Sequence, residues 1–218
     1  MAKIFYGCWP TMITPFTDDN KIDFKAVKRL IEWYIERGSD GIFAVCQSSE
    51  MFFLSEQEKV DLARAVKDAA GGRIKVIASG HTADDKSKQI EELGRMAGTG
   101  VDAVILVSNR LARQDEGEDK FRRNFEEIVR QLPGVPLGMY ECPYPYLRLI
   151  STDFLKEAAQ RNNWFPLRMS VVPIKYLRSG LPRSGDLIFH SLTPIPQPFC
   201  NSLSTAAMGT TGLWLIFI

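Results

Sequence analysis

Short apolar segments alternate with amphipathic ones at roughly 30-residue spacing from residue 4 to residue 163, and no other feature limits the fold so tightly. The apolar segments Ile4–Thr14, Gly41–Cys46, Arg73–Ser79, Val101–Val107 and Val135–Tyr140 are rich in Val and Ile and poor in charge, as strands covered on both faces must be. The segments between and after them, Phe24–Arg37, Glu56–Ala70, Asp84–Ala97, Glu118–Gln131 and Thr152–Arg161, carry helical stripes. In the first of these Phe24, Val27, Leu30, Ile31, Tyr34 and Ile35 share one face. Asp23 is placed to cap that helix, and Ser55 with Glu58 spells a capping box at the start of the next. Strands separated by helices pair in parallel through right-handed crossovers, so the class is α/β. Two architectures satisfy this order: an open doubly wound sheet, or the first five units of a (β/α)₈ barrel. Neither GxGxxG nor GxxxxGK(S/T) occurs, so the usual phosphate-cradling signature of a nucleotide-binding sheet is absent.

Composition narrows the partners. The chain has 218 residues, fewer than the roughly 250 of a complete (β/α)₈ barrel. Its net charge of +1 provides no electrostatic footprint for nucleic acid or an anionic membrane, which leaves a small molecule as the expected partner. Cys8, Cys46, Cys142 and Cys200 form no CxxC pair, which argues against a zinc site or a disulfide framework; reduced thiols and a cytoplasmic location are expected. MAKIFYGCWP lacks the apolar core of a secretory signal, and no run approaches 18 apolar residues.

The composition changes near residue 164. Residues 164–218 contain only Arg168, Lys175, Arg178, Arg183 and Asp186 as charged residues, and hold six of the twelve prolines. Proline removes a backbone donor and fixes φ, and this stretch has neither a helical nor a strand period. The expected organisation is therefore an N-terminal barrel part over residues 1–163 and a Pro-rich, low-charge tail over 164–218.

Within the first part the motifs are specific. Gly7, Thr11, Thr14, Pro15 and Phe16 lie on the first strand and just after it, Gly38, Asp40, Gly41 and Ile42 lead into Cys46-Gln47-Ser48-Ser49-Glu50, and Leu54 precedes Glu58. Val76-Ile77-Ala78-Ser79-Gly80, Gly100-Val101-Asp102-Ala103-Val104 and Leu137-Gly138-Met139-Tyr140 with Pro143 follow in order. Over about residues 4–163 this series resembles the dihydrodipicolinate synthase / N-acetylneuraminate lyase family. The resemblance implies a (β/α)₈ barrel that binds pyruvate or another 2-oxo acid as a Schiff base on a lysine at the end of strand six, for aldol addition or cleavage. It implies no metal and no cofactor, and a homo-oligomer, often a tetramer.

It also implies site residues. Tyr140 matches the family tyrosine that relays protons near the imine; read by itself it equally suits a strand-end aromatic that closes the barrel mouth. The family's Gly-Thr-Thr-Gly-Glu loop, which binds the 2-oxo acid carboxylate, reads Cys46-Gln47-Ser48-Ser49-Glu50 here. Ser48 keeps a hydroxyl at the second Thr position, Gln47 replaces the first, and Ser49 offers a hydroxyl next to it; turn chemistry alone also accounts for the serines. Asn109-Arg110-Leu111 stands where the family has Pro-Tyr-Tyr, and Pro145 where it has an arginine after the tyrosine, so the lysine-biosynthetic reaction itself is not expected. Arg110 and Arg113 suit either an acidic substrate or solvent. His81 follows the third strand and suits either a loop hydrogen bond or the site.

The imine lysine of the family falls about 28 positions after the tyrosine, which is Arg168 here. An arginine stays protonated and cannot attack a carbonyl. Lys175 lies seven residues late, after Pro173. The composition break suggests that the tail is family sequence read in the wrong frame: if the last base of each codon joins the first two of the next, Leu167-Arg168-Met169 can encode Lys-Asp, the dipeptide expected around the lysine. A barrel lacking its last strands would leave strands one and five as open edges and predicts low stability or aggregation. The alternatives are a non-catalytic half-barrel that pairs through those edges, or a flavodoxin-like binding domain.

Overall fold

The computed structural model describes residues 8–170 and 215–217. Along the chain they form β1 (Cys8–Pro10), α1 (Phe24–Glu36), β2 (Gly41–Ala44), a 3₁₀ turn (Gln47–Ser49), α2 (Glu56–Ala70), β3 (Lys75–Ala78) and α3 (Lys86–Ala97). Then come β4 (Ala103–Val107), the short α4 (Ser108–Leu111), α5 (Glu118–Gln131), β5 (Leu137–Glu141), α6 (Thr152–Ala159), β6 (Trp164–Ser170) and β7 (Leu215–Phe217). Gly7 and the start of the first expected strand, together with Lys175 and the rest of 171–214, lie outside the described residues.

The strand order decides between the two architectures. β2, β3, β4, β5 and β6 pair in parallel, each with its neighbour in sequence. The chain leaving β1 lies beside β2, where Thr11 bridges Phe43 in parallel and the Met12 amide donates to the Phe43 carbonyl at 2.9 Å. A doubly wound sheet reverses its order at a switch point, whereas a barrel adds every strand on the same side. The order β1 to β6 is barrel winding, and the flavodoxin-like alternative is set aside.

The five expected βα units are present, and a sixth strand extends the sheet beyond them: β6 pairs with β5, Leu137 opposite Trp164 and Met139 opposite Arg168. One residue of β5, Gly138, thus lies opposite three of β6, and Pro166 is the middle one of these, at an irregularity of the kind where a strand tolerates proline. That proline and the low charge hid the strand from a pattern reading. Contrary to expectation, the edges of β1 and β5 are not open, because β6 covers β5 and β7 pairs antiparallel with β1, Cys8 opposite Phe217.

The helices form where the sequence caps them. The Asp23 carboxylate accepts the Lys25 and Ala26 amides, and Ser55 and Glu58 close the capping box, with the Ser55 amide donating to Glu58 at 2.8 Å. In α1, Val27, Ile31 and Tyr34 are buried, while Phe24, expected on that face, is 45% exposed in the first turn. Two Gly-x-Asp motifs do parallel jobs before β2 and β4. Asp40 accepts the Cys8 amide at 2.7 Å, and Asp102 accepts the Val76 amide at 2.9 Å while pairing with Lys67 and Lys75. Each carboxylate ties the start of one strand to the preceding strand, at the end of the sheet opposite the site. Gly41 admits the Trp9 ring, which would stand 2.3 Å from an added Cβ. The buried strand residues, among them Ile42, Phe43, Ile77, Leu106 and Met139, form the interior, and each large apolar side chain contributes about 1.5–3 kcal/mol.

Candidate active site

In a barrel wound this way the loops after the C-terminal strand ends carry the chemistry. After β2 the chain turns sharply. Val45 adopts φ +47, a left-handed conformation that a β-branched residue rarely accepts, and its carbonyl takes the Ser79 and Gly80 amides at 3.2 and 3.1 Å. The strained residue delivers Cys46-Gln47-Ser48-Ser49 to the strand ends. Ser49 is fully buried: its hydroxyl donates to the Met12 carbonyl at 2.6 Å and accepts the Cys46 amide at 3.2 Å. Its carbonyl accepts the Thr14 hydroxyl at 2.8 Å. Of the two serines expected at the ligand, Ser49 therefore knits the loop to the chain after β1, and Ser48 is half-buried beside it.

Gln47 meets Tyr140. The Tyr140 hydroxyl, on β5, donates to the Gln47 amide oxygen at 3.5 Å, and the Cys142 thiol donates to the same oxygen at 3.3 Å. The Tyr140 ring is 4% exposed and packs edge-on against Phe43. Burial, reinforced by the neighbouring Cys142 and Cys46 sulfurs, holds the phenol well above its ordinary pKa, so it stays protonated. Burial likewise raises the Cys142 and Cys46 thiols, so both are weak nucleophiles at neutral pH. A glutamine oxygen accepts a hydrogen bond but does not pass on a proton, as a threonine hydroxyl can. The pair orients the phenol; it does not deprotonate it.

The loops after β4 and β5 are stapled together. The Asn109 amide donates to the carbonyls of Cys142, Tyr144 and Tyr146, at 2.8, 3.0 and 2.6 Å. Tyr146 returns its hydroxyl to the Asn109 and Ala112 carbonyls, and buried Glu141 accepts the Ile150 amide. The two arginines here separate. Arg113 has a side chain 82% exposed and turned to Glu116, whereas the Arg110 side chain is 9% exposed and pairs with Asp84. His81 is fully buried; its Nδ1 accepts the Val107 amide at 3.0 Å, and burial lowers it to about 4, so it is neutral and joins β3 to β4. Of its two readings, the loop hydrogen bond is the one observed. Arg168 lies in β6 opposite Met139, one residue before the partner of Tyr140.

Pattern reading missed two residues of this arrangement. Cys142 follows Tyr140 by two positions, and the period of a strand puts such residues on one face, a signal that was available. Asn109 stood out only as a departure from Pro-Tyr-Tyr, and its clamp on three carbonyls depends on the folded loop after β5.

Comparison with known proteins agrees with the geometry. The model of the Dihydrodipicolinate synthetase family matches residues 4–156. The 4-hydroxy-tetrahydrodipicolinate synthase of Laribacter hongkongensis is 38% identical over 187 residues, 84% of this chain and 59% of that protein. The enzyme of the same name from Thiobacillus denitrificans is 30% identical over 183 residues, 84% of this chain and 58% of that one. Among solved structures, the dihydrodipicolinate synthase of Acinetobacter baumannii complexed with pyruvate superposes with a TM-score of 0.65 at 26% identity, covering 73% of this chain and 54% of that one. The chain spans about half the length of the curated relatives it matches. Barrel winding, the loop after β2 that meets Tyr140, and a family match over most of its length together make this chain a member of the dihydrodipicolinate synthetase family.

Proposed function

We propose that the protein belongs to the 2-oxo acid-dependent, Schiff-base aldolases and lyases of its family, with pyruvate or a close analogue as one substrate. The meeting of Tyr140 with Gln47 at the strand ends carries this reading, because it joins the family's phenol to its carboxylate-binding loop across the barrel. Ser48 and the amides of the turn receive the carboxylate of the 2-oxo acid. Tyr140, kept protonated by burial, donates a hydrogen bond or a proton to the oxygen at the reacting carbon. Asn109-Arg110-Leu111 and Pro145 replace the family residues of the lysine-biosynthetic reaction, which supports a different second substrate.

The nucleophile is where this chain departs from that chemistry. Imine formation joins a neutral amine to the 2-oxo carbonyl with loss of water, and Arg168 at the expected place cannot do this. We take the tail beyond residue 163 to be family sequence in a shifted frame, with Lys-Asp encoded across Leu167-Arg168-Met169. The chain as it stands then binds a 2-oxo acid without turning it over, and the product of the restored frame is the enzyme. The test is intact-mass measurement after treatment with pyruvate and borohydride. The restored product is expected to gain one reduced pyruvate adduct on the new lysine, and the present chain none. A restored product that gains no adduct would overturn the proposal. A half-barrel that only pairs with another protein is the second reading; the contact of Tyr140 with the Gln47 loop favours the first.

A further inference from the structure

We propose that Arg110 is a ligand-binding residue of this site, reserved for a second carboxylate on the substrate pair, so that the site selects dianionic over monoanionic compounds. The inference rests on the 2-oxo acid reading above and adds the class of substrate. Arg110 is a cation withdrawn from water: its side chain is 9% exposed, whereas Asp84, its ion-pair partner among the described residues, is 93% exposed. Its Nε is buried and, among the described residues, meets no hydrogen-bond acceptor. An unmatched buried N–H beside a charge destabilises the free protein, and a ligand that supplies an acceptor removes that penalty.

The guanidinium is also held in place. It lies over the Phe52 ring at 5.3 Å, and Phe52 packs edge-on against Tyr144 at 5.0 Å. The Arg110 carbonyl accepts the Gln89 amide at 3.0 Å, and the adjacent Asn109 is clamped to the loop after β5. Phe52 follows the Gln47–Ser49 turn by three residues, and Tyr144 follows by two positions Cys142, whose thiol is 3.3 Å from the Gln47 oxygen that also receives Tyr140. Arg110 therefore stands on the same side of the mouth as the 2-oxo acid loop. A planar fork stacked on an aromatic ring, with one donor free, matches a carboxylate. Among the described residues of these loops, Arg113 turns outward to Glu116 and Arg148 donates to the Arg113 and Glu116 carbonyls, so one guanidinium rather than a cluster is offered, which favours a single carboxylate over a phosphate.

Calorimetric titration of the present chain with 2-oxoglutarate, 2-oxovalerate and pyruvate tests this, since the first two differ by the terminal carboxylate. The expected preference for 2-oxoglutarate over 2-oxovalerate is about tenfold, the contribution of one charge-assisted hydrogen bond. Arg110→Met should abolish the preference. Asp84→Asn, a change at an exposed side chain, should strengthen 2-oxoglutarate binding severalfold by freeing the guanidinium, and it keeps the test available if Arg110→Met does not fold. Equal affinities for the two longer acids, a preference that survives Arg110→Met, or no gain in Asp84→Asn would overturn the role of Arg110 while pyruvate binding stands. If none of the three acids binds, the 2-oxo acid reading itself fails, and this inference with it.

Discussion

Tyr140 and Gln47, 93 positions apart in the chain, meet across the strand ends with the phenol donating to the amide oxygen at 3.5 Å. A threonine in that place would both accept from the phenol and donate onward; the glutamine only accepts. Tyr140 is thus positioned as a hydrogen-bond donor, and burial keeps its proton in place. Tyr140→Phe removes a long hydrogen bond and little packing, so stability should change by less than about 1 kcal/mol. In the product of the restored frame, pyruvate-dependent turnover should fall by about 10²-fold or more, the usual worth of a positioned acid. Denaturant melts and initial rates on the same preparations check both parts; an unchanged rate would remove Tyr140 from the chemistry.

The two serines of the turn should respond oppositely. Ser49→Ala leaves the buried Met12 carbonyl and Cys46 amide without their hydroxyl and should cost about 1–3 kcal/mol. Ser48→Ala should leave stability nearly unchanged and weaken pyruvate binding. Equal effects of both substitutions on stability would mean that the division of roles between them is wrong.

A buried ion pair lies between α2 and α3. Lys59 Nζ is 2.9 Å from Glu92, both side chains are 6% exposed, and Thr82 and its neighbour Ala83 complete the carboxylate's bonds. Lys59→Met strands the carboxylate and should destabilise by about 3–5 kcal/mol, whereas the double change Lys59→Met with Glu92→Leu should recover part of that loss, the Thr82 and Ala83 amides being left without their acceptor. Urea midpoints of the two variants measure the difference.

His81 gives the fold a dependence on acid. Its folded pKa of about 4 lies below its ordinary value of 6.5, chiefly through burial, with Arg110 and Lys59 adding to the depression and Gln89 and Glu92 opposing it. Between these two values the unfolded chain takes up a proton that the folded chain refuses. Stability is therefore full above 6.5 and declines as pH falls toward 4, by on the order of 3 kcal/mol in all. Carboxylates add their own acid sensitivity, so the contribution of His81 is the difference between the native chain and His81→Asn. Urea melts at successive pH values should show a shallower decline in the variant; parallel curves would contradict the assignment.

Much of this was legible in the sequence. Asp23, Ser55 and Glu58 cap their helices where the pattern puts them, because a cap is a local hydrogen bond between neighbours. The strands β2 to β5 followed from their apolar runs. β6 did not, since Pro166 and low charge imitate a loop and only pairing with β5 makes the segment a strand. At the site, Gln47 and Tyr140 were named from motifs, but their contact depends on two strands three places apart in the sheet. Arg110 and Arg113 are alike as sequence, and their difference in burial arises from the turn of α4 and the Phe52 ring beneath one of them.

The most direct test is to read the gene's DNA through the codons for Trp164 to Arg168 and onward through those for the remaining residues. The expected result is a one- or two-base slip whose correction restores Lys-Asp at the place of Arg168 and continues the barrel. Confirmation of the present frame throughout would contradict it and leave a family member whose sixth strand carries an arginine where the imine must form.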